Sequence, residues 1–116
     1  MDITCGYSGD YTKLTLAGQL WQREDMNALE QYFKNLPDEH RYLFVLELDR
    51  LTFINSQALG LLVKLHSLCE ENGGKLILYL PRSTVREVIE IAGLTEFVAI
   101  AHSEDELEAL MKATEK

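Results

Sequence analysis

The sequence predicts an α/β fold: a mixed, mostly parallel sheet of about five strands, with helices packed mainly on one face, in the order β-β-α-β-α-β-α-β-α. Three observations carry this. A hairpin of alternating character opens the chain. Two nearly continuous apolar runs, residues 42–48 and 75–80, have the pattern of strands buried on both faces. Segments of helical period separate the strands, and strands that alternate with helices pair in parallel through right-handed crossovers.

Taken in order, residues 3–8 and 11–20 read as two strands joined at Gly9-Asp10, a hairpin-type turn. In the second strand Leu14, Leu16 and Leu20 alternate with Lys13, Thr15 and Gln19. Helical period takes over at residues 23–36, where Met26, Leu29, Tyr32, Phe33 and Leu36 form one stripe. Pro37 ends that helix, because the residue before proline is pushed out of the α region. After the strand at 42–48, a turn at Asp49-Arg50 and a short segment, 51–54, lead into a second helix, 56–71. Asn72-Gly73-Gly74 closes it with residues that tolerate positive φ. The strand at 75–80 stops at Pro81. Thr84 with Glu87 has the spacing of a capping box, opening a helix to Ala92 that Gly93 terminates. A last strand covers 97–101. Ser103 with Glu106 gives a second box, for a C-terminal helix with Leu107, Leu110 and Met111 turned inward.

Composition narrows the function. The 116 residues suit one domain, 1–116, and 47% of them are hydrophobic, as in an ordinary folded domain. Eleven Lys plus Arg against 19 Asp plus Glu give a formal charge of −8. That balance excludes sequence-independent binding to nucleic acid and docking on an anionic membrane, and it favours a partner with a basic face. Cys5 and Cys69 are expected as two buried thiols in a reducing compartment. The N-terminus has neither a basic nor an apolar leader region, and no apolar run approaches the ~20 residues of a membrane span. A cytoplasmic location follows as the expectation. His40, His66 and His102 are scattered without a second ligand at metal spacing, and no phosphate-loop, dinucleotide, metalloprotease or CxxC motif occurs. No catalytic residue, metal or cofactor is therefore assigned, and a binding protein is expected, not an enzyme.

The informative stretch is residues 51–60, Leu-Thr-Phe-Ile-Asn-Ser-Gln-Ala-Leu-Gly. Asn55 and Ser56 are good helix-opening residues, since their side chains accept hydrogen bonds from first-turn amides. At ~100° per residue, Ala58, Leu61, Leu62, Leu65, Leu68 and Cys69 gather on the core side. Ser56 starts the opposite stripe with Leu59, Gly60, Val63, Ser67 and Glu70. Two readings stand open. Ser56 is a simple cap, with Leu59 and Val63 covered by the C-terminal segment; or an exposed hydroxyl sits in an apolar docking patch. A phosphate on Ser56 would add about −1.5 to −2 charges. It would meet the free amides and positive dipole end of the helix, yet would have to be desolvated inside a complex.

The phrase at residues 48–60, together with Leu16-Ala17-Gly18-Gln19-Leu20, Asn72-Gly73-Gly74-Lys75-Leu76 and Ile91-Ala92-Gly93-Leu94, resembles a STAS domain of the anti-sigma factor antagonist type. The resemblance covers essentially the whole chain. It implies a partner-switching protein that binds an anti-sigma serine kinase until that kinase phosphorylates it, with a PP2C-type phosphatase restoring binding. In the family pattern Asp-Ser-[Ser/Thr]-Gly-Leu-Gly, Asn55 stands for the Asp and Ser56 for the phosphorylated serine. Gln57 and Ala58 replace the next two residues, whereas Leu59 and Gly60 match. The implied partner-binding set is Asn55, Ser56, Gln57, Leu59, Gly60, Val63 and Ser67. Gln19 and Trp21 stand where the family usually carries acids. Those departures admit an alternative, a non-phosphorylated accessory subunit such as that of a lipid-transport ABC system.

Overall fold

The computed structural model describes residues 1–35, 41–81 and 84–114. Ten elements follow one another: β1 (Asp2–Ser8), β2 (Tyr11–Leu20), α1 (Arg23–Lys34), β3 (Leu43–Ile54), α2 (Ser56–Glu71), β4 (Lys75–Tyr79), α3 (Arg86–Ile91), a 3-10 turn (Leu94–Glu96), β5 (Ala99–Ala101) and α4 (Glu104–Thr114). The strands lie in sequence order across one sheet, β1-β2-β3-β4-β5. β1 runs antiparallel to β2, and every later pair is parallel. The α/β order and the mixed sheet match the sequence expectation.

Both faces of the central strands are buried, as their continuous apolar runs require. Along β3, Phe44, Leu46 and Leu48 enter the larger core, which also takes Leu29 and Phe33 of α1, the inner side of α2 and Ile89 of α3. Leu43 and Val45 alternate into a smaller core with Tyr11, Ile77, Tyr79 and Leu107 of α4. Three helices therefore cover one face and α4 covers the other. The Phe33 and Phe44 rings stack with centroids 3.8 Å apart and fix α1 over the sheet.

Four local expectations need correction. No turn occurs at Asp49-Arg50; β3 continues to Ile54, and its pairing with β2 shifts register twice instead. Thr84 does not cap α3. Its hydroxyl donates to the Leu51 carbonyl at 3.2 Å, and α3 starts at Arg86 without a side-chain cap. Cys5 is exposed, because it lies on an edge strand, while Cys69 is buried. Tyr32 is 38% exposed and joins neither core, so the inner stripe of α1 is Met26, Leu29 and Phe33. Leu36, Pro37 and His40 lie outside the described residues. The second capping box holds: Ser103 Oγ accepts from the Glu106 amide at 3.1 Å, and Glu106 Oε1 reaches back to the His102 amide at 3.0 Å.

Candidate functional site

The two register shifts in β3 build the site. Opposite Thr15 and Ala17 of β2 stand Glu47 and Arg50; opposite Gly18 and Gln19 stand Leu51 and Phe53. Each shift places one extra residue on β3, and an extra residue reverses the in-out alternation. Leu48, Leu51 and Ile54, three apart, consequently all enter the same core. Phe53 is turned outward beside Gln19 and is 48% exposed.

Asn55 then leaves β3 in an extended conformation and opens α2. Its Oδ1 accepts from the Ala58 amide at 2.9 Å, its carbonyl accepts from the Leu59 amide at 3.0 Å, and its Nδ2 donates to the Trp21 carbonyl at 3.4 Å. Asn55, not Ser56, is thus the cap. One amide side chain closes the helix end and ties it to the segment after β2. Trp21 follows β2 directly and is 45% exposed, its Nε1 donating to Gln19 Oε1 at 3.2 Å. Ser56 is the first residue of α2 and is exposed, as are Gln57 and Gly60. No acidic residue occupies the first turn of α2, so the positive end of its dipole is uncompensated there.

Leu59 and Val63 are half-buried against the larger core. The C-terminal helix does not cover them, since α4 packs on the other face of the sheet. Ser67 is exposed but lies 11 residues beyond Ser56, roughly 16 Å along the helix, so it is not part of the same cluster. The fold brings together Asn55, Ser56, Gln57 and Gly60 with Trp21, Gln19 and Phe53. The aromatic contribution of Trp21 and Phe53 was missing from the sequence reading of the patch. Its only sequence signal is an aromatic residue set between polar Thr52 and Asn55 in a segment that breaks strict alternation.

Lys64 Nζ lies 2.6 Å from Glu30 Oε2, and Lys34 Nζ lies 2.8 Å from it. Hydrogen bonds from Lys34 and then Lys64 hold the Glu30 carboxyl below the usual carboxylate range. Burial, with Glu70 nearby, pushes the Cys69 thiol up to about 12. His66 Nε2 sits 3.6 Å from Glu70, and its ring is tilted against Phe97. Among the described residues no group of His, Cys, Asp and Glu is placed to hold a metal. No helix among them is long and apolar enough to cross a membrane.

The STAS domain family model matches residues 14–107. The chain belongs to the STAS domain family. Solved STAS-like structures agree with this at the level of fold. A sulfate transporter family protein from Wolinella succinogenes is similar at 17% identity and a TM-score of 0.76, covering 90% of this chain and 87% of its own. An anti-sigma factor antagonist from Mycobacterium paratuberculosis is similar at 20% identity and a TM-score of 0.72, covering 93% and 92%. The Bacillus cell fate determinant SpoIIAA in its phosphorylated form is similar at 19% identity and a TM-score of 0.64, covering 94% and 99%. Among curated proteins none matches the sequence. The family match bears out the STAS resemblance read from residues 16–20, 48–60, 72–76 and 91–94.

Proposed function

We propose that this STAS domain is a partner-switching regulator that binds an anti-sigma serine kinase and is released when that kinase phosphorylates Ser56. The observation that carries the reading is the placement of Ser56: exposed, first in α2, and beside a cap that belongs to Asn55. Its hydroxyl is therefore not needed to close the helix. The amide-rich end of α2, with no acid in its first turn, would tolerate a phosphate. In a complex the same charge would lie among Trp21, Phe53 and Gly60 and would have to be desolvated. A PP2C-type phosphatase would restore binding. The protein would be substrate and ligand, not catalyst, and would work in the cytoplasm.

The test is incubation with an anti-sigma serine kinase and ATP, followed by location of the phosphate by mass spectrometry. Phosphate on Ser56 and its loss in Ser56→Ala are expected. Modification elsewhere, with Ser56→Ala behaving like the parent, sinks the proposal.

One observation favours a second reading. Trp21 and Gln19 present a neutral, aromatic surface where the family pattern has acids. That surface suits a permanently bound accessory STAS subunit without phosphorylation, such as one on a lipid-transport ABC system. A pull-down from native lysate separates the two by returning either a small kinase or a transporter ATPase.

A further inference from the structure

We propose that β1 is a self-association edge, on which a second copy of this chain pairs antiparallel through its own β1 about a twofold axis at Cys5. The two edges of the sheet are unlike. β5 has only three residues, the short form in which edges are commonly protected. β1 has seven, pairs with β2 without a register shift, and carries no proline or lysine. It is the outermost strand, and among the described residues no strand lies on its outer side.

The hairpin fixes which backbone groups face outward. Ser8 stands opposite Tyr11 across a two-residue loop, with Gly9 at φ 60, the first central position of a type II′ turn. The residues flanking such a loop exchange hydrogen bonds, and bonding alternates along the ladder. Ser8, Gly6, Thr4 and Asp2 therefore bond to β2. Ile3, Cys5 and Tyr7 turn their N–H and C=O groups to the outer side. An antiparallel partner must set outward-turned residues opposite one another. Of the registers that do so, the one placing Cys5 opposite Cys5 uses all of β1, with Ile3 opposite Tyr7 on each side of the axis.

Side chains agree with that register. Ile3, Cys5 and Tyr7 share one face of the strand. Tyr7 is 67% exposed beside a hollow of about 330 Å³ between β1 and α1, which Gln31 and Tyr32 also line. Pairing brings Ile3 of the second copy against that ring, an aromatic–β-branched contact made twice by symmetry. On the other face Thr4 meets Gly6, and Asp2 meets Ser8. A chain of charge −8 resists self-association in general, but Asp2 is the one charge in β1. The twofold sets the two Asp2 residues about 20 Å apart, beyond the screening length at physiological salt. An edge of seven residues supports a weak dimer, dissociating on the order of 10–1,000 µM.

Sedimentation of the full chain under reducing conditions, from micromolar to millimolar concentration, is the test, combined with amide hydrogen exchange. A dimer is expected to form with concentration and to persist in Cys5→Ser. The Ile3 and Cys5 amides should gain protection as it forms, whereas Thr4 and Gly6 remain protected throughout by β2. Cys5→Lys opposes two like charges at the axis and should weaken the dimer at least tenfold with an unchanged circular dichroism spectrum. A monomer up to 1 mM, a dimer seen only without reductant, a dimer of unchanged strength in Cys5→Lys, or a dimer of the parent chain with the Ile3 and Cys5 amides unprotected would each overturn the pairing.

Discussion

Ser56→Asp tests whether the start of α2 accepts negative charge without loss of the fold. Ser56 is the exposed first residue of a 16-residue helix with no acid in its first turn. A carboxylate there interacts with the helix dipole by about 0.3–1 kcal/mol at low ionic strength. At roughly 2.1 cal/mol/K per residue, the unfolding entropy of this chain near its midpoint is about 0.24 kcal/mol/K, so the expected rise in Tm is about 1–4 °C. Ser56→Asn is the reference, since it changes shape equally without adding charge. Ser67→Asp against Ser67→Asn supplies a second control at an exposed position far from the helix start. Thermal unfolding followed by circular dichroism at 20 mM and 1 M salt measures the effect. The gain of Ser56→Asp over Ser56→Asn should shrink strongly at high salt, where screening acts within about 3 Å. A destabilisation beyond about 1 kcal/mol, or a gain equal to that at Ser67, would refute the view that this helix end can hold a phosphate in the folded protein.

Two glycines should respond in opposite directions to alanine. A Cβ at Gly74 would overlap the Tyr42 carbonyl, which accepts from the Lys75 amide, so Gly74→Ala should cost about 3 kcal/mol or more in chemical denaturation. A Cβ at Gly60 meets nothing within 4 Å, and Gly60→Ala should stabilise α2 by about 1 kcal/mol. Asn55→Ala should lose about 1 kcal/mol with its cap, whereas Asn55→Asp keeps the acceptor and should stay near parent stability. Native protein should release one thiol equivalent to Ellman's reagent, from Cys5, and a second from Cys69 only on unfolding. Because the Glu30 pKa is lowered by folding, its contribution is present above the unfolded carboxylate pKa and is lost as pH falls through the lower folded value. Lys64→Ala should raise the Glu30 titration midpoint seen by NMR and flatten that loss on the acid side.

The fold was legible because its main determinants are local. The Gly9-Asp10 turn, the two apolar runs and the glycine stops after α2 and α3 each act through a few neighbouring residues. Gly73 and Gly93 indeed adopt positive φ. What escaped depends on neighbours distant in sequence. Asp49-Arg50 is polar enough to signal a turn, but β4 pairs β3 only along Leu43–Glu47, so polar residues can continue the strand beyond it. Thr84 has a capping residue type, yet the Leu51 carbonyl, 33 residues away, takes its hydroxyl. The outward turn of Phe53 requires the register shifts against β2, which no periodicity within 51–54 contains.

The same distinction divides residues 53–63, a stretch that carries no charged side chain. Ile54, Ala58, Leu61 and Leu62 are neutral because they are core. Their lack of charge follows from burial and needs no partner to explain it. Phe53, Ser56, Gln57 and Gly60 are neutral although exposed, and only they carry a functional implication. The window read along the chain therefore overstates the surface on α2, while omitting Trp21, which Asn55 tethers from the end of a neighbouring strand. A phosphate on Ser56 would enter a patch bounded by two aromatic rings, one in β3 and one just past the end of β2. Its effect on a docked partner would thus depend on Trp21 and Phe53 as much as on the helix that bears the serine.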